Sequence, residues 1–171
     1  GMVETKGLVG AIEAADAGAH VVVLEAASEP GGSTAMAGGL IYMGGGTPSV
    51  LPLSTMRDII TAIGASYSLP VDGEITVEVN PGTVDRPYLT ALRELGVNRL
   101  SVGVQSFNDA ELRMLGRIHD RRQALTTLSN ARAAGFENIS LDLIFGLPAQ
   151  TISDWEASLH QAVACRPTHV S

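Results

Sequence analysis

The sequence predicts an α/β fold of parallel βα repeats, either a doubly wound sheet or an incomplete (β/α) barrel. Three observations predict it. Short apolar runs alternate with amphipathic segments of helical length. Glycine and proline punctuate the joints between them. Apolar residues make up 45% of the 171 but aromatics only 4%, so the core has to be built from the small aliphatic side chains that suit tightly packed βα units.

In chain order, residues 7–18 (GLVGAIEAADAG) read as a helix with Leu8, Ile12 and Ala15 on one face and Gly18 as a stop signal. VVVLE, 21–25, is a buried strand. Residues 26–39 are turn-rich, with one helical turn predicted at Ser33–Ala37. LIYMG, 40–44, is a second strand that runs into Gly44–Gly46. A helix is predicted from Ser54, as N-cap, to about Tyr67. Strand EITVEVN (74–80), helix 85–95 and strand RLSVGVQ (99–105) follow. A polar segment, 106–120, leads to helix 121–134, strand ISLDLIFG (139–146), helix 153–164 and a short final strand in THVS. Strands separated by helices of this length pair in parallel. A complete barrel takes roughly 250 residues, and about six strands are visible here. The barrel is therefore expected to stay open, or to be completed by self-association through its sheet edges.

Composition excludes several function classes. A net charge of −7 lacks the basic footprint of a nucleic-acid binder. No apolar run reaches the length of a membrane span. The start, GMVETKG, has no signal-peptide pattern, and Gly1 ahead of Met2 reads as a residue left by tag cleavage. The one cysteine, Cys165, allows no intrachain disulfide and no cysteine-held metal cluster from one chain. A reducing, cytoplasmic setting is expected, with Cys165 packing near a helix end as a small apolar side chain.

In parallel α/β folds ligands bind beyond the C-terminal ends of the strands, and the polar candidates cluster there. Strand 40–43 ends in Gly44-Gly45-Gly46-Thr47-Pro48, strand 74–80 carries Glu78, strand 99–105 ends in Gln105, and strand 139–146 contains Asp142. The glycine run is either a plain turn or bare backbone whose carbonyls accept from a ligand ammonium; it is not a phosphate loop, because no Gly-Lys-Ser/Thr follows. Glu78 alone would be solvent-facing or salt-bridged, and Gln105 would satisfy a loop. Asp142, inside an apolar run, needs a buried partner. Together they offer exposed backbone, a carboxylate, an amide and a second carboxylate, a set suited to a zwitterionic, ribose-bearing ligand.

The strings GGGTPS, EVNPGT, RLSVGVQSF, LGRIHD and LDLIFGLPAQT occur in this order. Over residues 41–171 they resemble the radical S-adenosylmethionine (SAM) family of oxygen-independent coproporphyrinogen III oxidases and related haem chaperones, closer to the chaperone-like branch. The resemblance implies a partial radical-SAM (β/α) barrel. It implies that Gly45, Gly46 and Thr47 hold the methionyl amine of SAM and that Glu78 and Gln105 line its pocket. It also implies that Arg117 pairs with the methionyl carboxylate and that Asp142 sits near the ribose or adenine. His119 belongs to the same motif; taken alone it would be a solvated loop histidine. The family's [4Fe–4S] cluster needs a CxxxCxxC-type motif after the first barrel strand, and no cysteine precedes Gly44 here. Radical chemistry is therefore expected to be absent.

Residues 7–48, including GLVGAIEAADAGAHVVVLEAASEPGGSTAMAGG, resemble the FAD domain of fumarate reductase and ketosteroid dehydrogenase flavoproteins. That resemblance implies an N-terminal αβ Rossmann-like fragment, 1–40, in which Glu25 would bind the FAD ribose and Ser33 would lie along the cofactor. Only Gly7 and Gly10 remain of a GxGxxG fingerprint, so the pyrophosphate loses its seat at a helix N-terminus and FAD binding is not expected. The segment LIYMGGGTP fits both families, which makes the chain look like a chimera joined there. Three readings follow: a catalytically inactive SAM-binding barrel fragment, a flavin-binding oxidoreductase remnant, and a non-enzymatic folded chimera that self-associates.

Overall fold

The structure, a computed structural model, describes residues 21–24, 34–37, 40–43, 47–66 and 73–171. The predicted helix 7–18 lies outside these residues. The strands are β1 (Val21–Leu24), β2 (Thr34–Ala37), β3 (Leu40–Met43), β4 (Glu74–Val79), β5 (Arg99–Gln105), β6 (Asn138–Leu143) and β7 (His169–Val170). The helices are α1 (Leu53–Ser66), α2 (Arg86–Glu94), α3 (Asp109–Met114), α4 (Arg121–Ala133) and α5 (Ile152–Ala164).

Most elements fall where the apolar periodicity places them, and four differ. The helical turn predicted at Ser33–Ala37 is strand β2, antiparallel to β3 with Thr34 opposite Met43 and Ala37 opposite Leu40. Ala and Met favour helix locally, but ladder hydrogen bonds to a neighbouring strand override so weak a preference. Ser54 is not the N-cap of α1. The helix opens at Leu53, the Pro52 carbonyl accepts from the Met56 N–H, and Ser54 is exposed in the first turn. The polar segment 106–120 contains α3, too short to show a period, with the Asn108 side chain accepting from Ala110 N at 2.9 Å as its cap. Strand β6 ends at Leu143; Gly146 turns the chain with φ 71°, and Phe145 stays exposed.

The described strands form one seven-stranded sheet in the order β2-β3-β1-β4-β5-β6-β7, parallel throughout except for the β2–β3 pair. From β4 to β7 the strands are neighbours in chain order. Right-handed crossovers between such strands put every connecting helix on the same face. Period-two alternation then sorts the side chains. Val77, Val79, Leu100, Val102, Val104, Ile139, Leu141 and Leu143 point to the helical face. There they join Leu89, Leu92, Ala124, Leu128, Ala131, Phe136 and Ala162 in the core. Glu74, Thr76 and Glu78 of β4, Arg99, Ser101 and Gly103 of β5, and Asn138, Ser140 and Asp142 of β6 occupy the opposite face. Helices packed on one face of a parallel sheet match part of a (β/α) barrel, whose helices form the outer ring.

Candidate functional site

The site is built on the polar face at the C-terminal ends of β4, β5 and β6. Parallel pairing sets Glu78 beside Ser101. The Ser101 hydroxyl lies 3.1 and 2.9 Å from the two carboxylate oxygens of Asp142 and donates its proton to them. Glu78, Ser101 and Asp142 therefore run as a polar row across three strands. All three are half-buried. Asp142 has the partner that its position in an apolar run demanded.

Thr47 enters from the side. Its hydroxyl accepts from the Asn80 side-chain amide at 2.6 Å. Next to it the Ser49 hydroxyl lies 2.7 Å from that of Thr83 and accepts from Asn80 N at 3.2 Å, while Thr83 donates to the Asn80 carbonyl at 2.7 Å. The segment Thr47–Ser49 is thus stitched onto the turn after β4. Gly45, Gly46, Glu25 and Ser33 lie outside the described residues, so the glycine run and both flavin candidates have no position here.

Gln105 closes β5 in an unusual conformation. Its φ is 67°, and Ser106 N donates to the Val104 carbonyl at 2.8 Å across it. That is a γ-turn of the strained form, whose central φ lies near about +75°. A β-bulge against β6 falls in the same stretch, between Val102 and Gln105. The side chain folds back over Gly103: a Cβ built there would sit 2.9 Å from Gln105 Nε2 and 3.1 Å from Asn80 Oδ1. Any larger residue at Gly103 would push these two amide ends out of their present positions.

Two residues of the LGRIHD string are placed differently, and only His119 contacts this region. Arg117 is half-buried, and among the described residues its guanidinium has no carboxylate within ion-pair range. His119 is not a solvated loop histidine: it is 4% exposed, and its Nε2 donates to the Val104 carbonyl at 3.1 Å. Burial holds its pKa below the ordinary 6.5. The Val104 hydrogen bond and Asp120 pull it back up, and Arg117 pushes it further down.

Sequence reasoning missed Ser101, Gly103 and Glu111, and singled out Asn80 only as part of the turn after strand 74–80. The alternation in RLSVGVQ could have placed Ser101 on the face of Glu78 and Asp142, but only the strand register makes them neighbours. Glu111 is a buried carboxylate that accepts from the Ser106 hydroxyl and, at 3.0 Å, from the Gln150 amide. Cys165 caps α5 partly buried against the core, and burial pushes its thiol pKa up, which leaves it a packing residue. A groove of about 690 Å³ lies on the helical face between Phe107, Arg121, Asp154 and Gln161, away from the polar row. The row, unlike the groove, stands at the C-terminal ends of the parallel strands, where folds of this class bind ligands. Among the described residues no cluster of three or more His, Cys, Asp or Glu could hold a metal ion, and no helix is long and apolar enough to cross a membrane.

Comparison with known proteins gives a consistent picture. The model of the radical SAM superfamily matches residues 32–162. A heme chaperone HemW from Synechocystis sp. is 44% identical over 131 residues, 77% of this chain and 32% of that protein. The bovine radical S-adenosyl methionine domain-containing protein 1, mitochondrial, is 41% identical over 131 residues, 77% of this chain and 30% of that protein. Among solved structures, the Escherichia coli coproporphyrinogen III oxidase HemN, described as a radical SAM enzyme, superposes with a TM-score of 0.70 at 34% identity. That match covers 76% of this chain and 30% of the other. The chain spans about a third of the length of the curated relatives it matches.

Proposed function

This chain belongs to the radical SAM superfamily, and on that premise we propose that the polar face at the ends of β4, β5 and β6 is one wall of a SAM pocket. The observation that carries the reading is the row Glu78–Ser101–Asp142 with the Gln105 amide folded beside it. Two carboxylates and an amide acceptor suit an ammonium and ribose hydroxyls. The Arg117 guanidinium suits a carboxylate, where its planar fork gives paired hydrogen bonds. On this reading Gly45, Gly46 and Thr47 hold the methionyl amine, Arg117 the methionyl carboxylate, Glu78 and Gln105 the pocket wall, and Asp142 the ribose or adenine.

The residues present do not fit the family's [4Fe–4S] cluster. It takes three thiolates, and the 171 residues contain one cysteine, placed at the end of α5. No cluster-dependent step is derived, and we assign this chain SAM binding without radical cleavage. The heme-chaperone role named for its relatives belongs to proteins about three times as long as the matched stretch, and is not assigned to this third.

The test is a SAM titration of the full chain followed by calorimetry and thermal unfolding. Binding raises the unfolding midpoint by linkage, and Arg117→Ala weakens affinity at least about tenfold, the loss of a charge-assisted hydrogen bond. No shift at millimolar SAM in the wild-type chain overturns the reading. Stoichiometric 5′-deoxyadenosine after anaerobic iron–sulfur reconstitution overturns the assignment of inactivity.

We further propose that residues 1–40 are a flavoprotein-derived fragment joined to a partial barrel, 41–171. What supports the reading is the resemblance of residues 7–48 to flavoprotein FAD domains, although the radical SAM match itself begins at residue 32. Strand β1 then fills a position in the barrel sheet, between β3 and β4. One relative aligned without a break along the whole chain would overturn this.

A further inference from the structure

The γ-turn at Gln105 is costly for a non-glycine residue and persists only where its surroundings over-determine it. Three contacts converge on it from three different segments. From the loop after α3, His119 Nε2 donates to the Val104 carbonyl, the same oxygen that accepts from Ser106 N. From α3, buried Glu111 accepts from the Ser106 hydroxyl, which in turn accepts from Asn108 N at 2.9 Å. From the end of β6, Ile144 N donates to the Gln105 carbonyl at 2.8 Å. The second oxygen of Glu111 takes the Gln150 amide, whose own carbonyl accepts from Gly146 N at 2.8 Å, so the loop after β6 is tied into the same network.

We propose that His119 and Glu111 are positioning residues: together they clamp the residues flanking Gln105, Val104 and Ser106, and so hold its amide over Gly103 beside the polar row. Neither reaches the row itself. That Gln105 faces SAM rests on the function proposed above; that the clamp sets its conformation does not. His119 is suited to the task because a ring N–H can reach a carbonyl from a buried site without carrying a charge. Glu111 is suited because its two oxygens bind two loops at once.

The experiment uses the full chain and two readouts. The first is the NMR one-bond Cα–Hα coupling of Gln105, which separates positive from negative φ. In His119→Ala it leaves the positive-φ range while the rest of the spectrum stays folded. In His119→Gln, whose amide N–H can reach the Val104 carbonyl, it returns. The second is SAM affinity. His119→Ala weakens binding about tenfold, but adds no further loss in a Gln105→Ala background, because it acts through Gln105. An unchanged coupling in folded His119→Ala overturns the clamp, and so does full additivity of the two binding losses. If wild type binds no SAM, the pocket reading fails while the coupling still tests the clamp. If His119→Ala does not fold, Ser106→Ala removes the Glu111 arm and reads the same coupling.

Discussion

Gln105, His119 and Asp142 show how much of this protein is decided by single contacts. Asp142 sits in an apolar run, where an unpaired carboxylate would cost several kcal/mol, and the Ser101 hydroxyl meets it from the next strand. His119 makes a titration prediction. Its folded-state pKa lies below 6.5, chiefly through burial. The unfolded chain therefore binds a proton more readily, and stability rises with pH across the window between the two values. The contribution is complete above about pH 6.5 and is lost as the pH falls through the folded value. Urea unfolding from about pH 8 to about pH 5 should show this slope in wild type and a shallower one in His119→Gln. An identical slope in both would remove His119 as its source.

At the level of elements, the helix starts carry the clearest sequence logic. Asp120 caps α4 by accepting from Gln123 N at 2.7 Å while Gln123 returns a bond to Asp120 N at 2.9 Å. Thr151 and Asp154 repeat the arrangement on α5. There the Thr151 hydroxyl and N–H hold the Asp154 carboxyl below its ordinary range. Asp120→Ala should destabilise the protein by about 1 kcal/mol, read as a lower denaturation midpoint, and Asp120→Asn should recover most of it. These helices were legible because caps and apolar period lie within one segment. Strand β2 and helix α3 were not. The first exists only because β3 lies alongside it, and the second is six residues long, less than two turns of pattern.

At the level of the whole molecule, the described sheet has two edges, β2 and β7. Val170 on β7 is 39% exposed, with His169 exposed beside it. Open parallel sheets of this kind template further pairing. Light scattering should therefore find self-association that rises with concentration, and Val170→Lys on the edge should reduce it. A monomer at all concentrations would mean that the edges are covered otherwise. Alternating strands and helices, the order of the motif strings and the single cysteine were all determined by sequence, because each is a property of short segments or of counting. The flavin-like and SAM-like residues in the segments outside the described ones remain expectations of that same kind. Only the tertiary structure decided that β1 lies between β3 and β4, that Ser101 joins Glu78 to Asp142, and that His119 lies buried behind Gln105. Register and strand order come from long-range pairing, whose partners are tens of residues apart and leave no local trace.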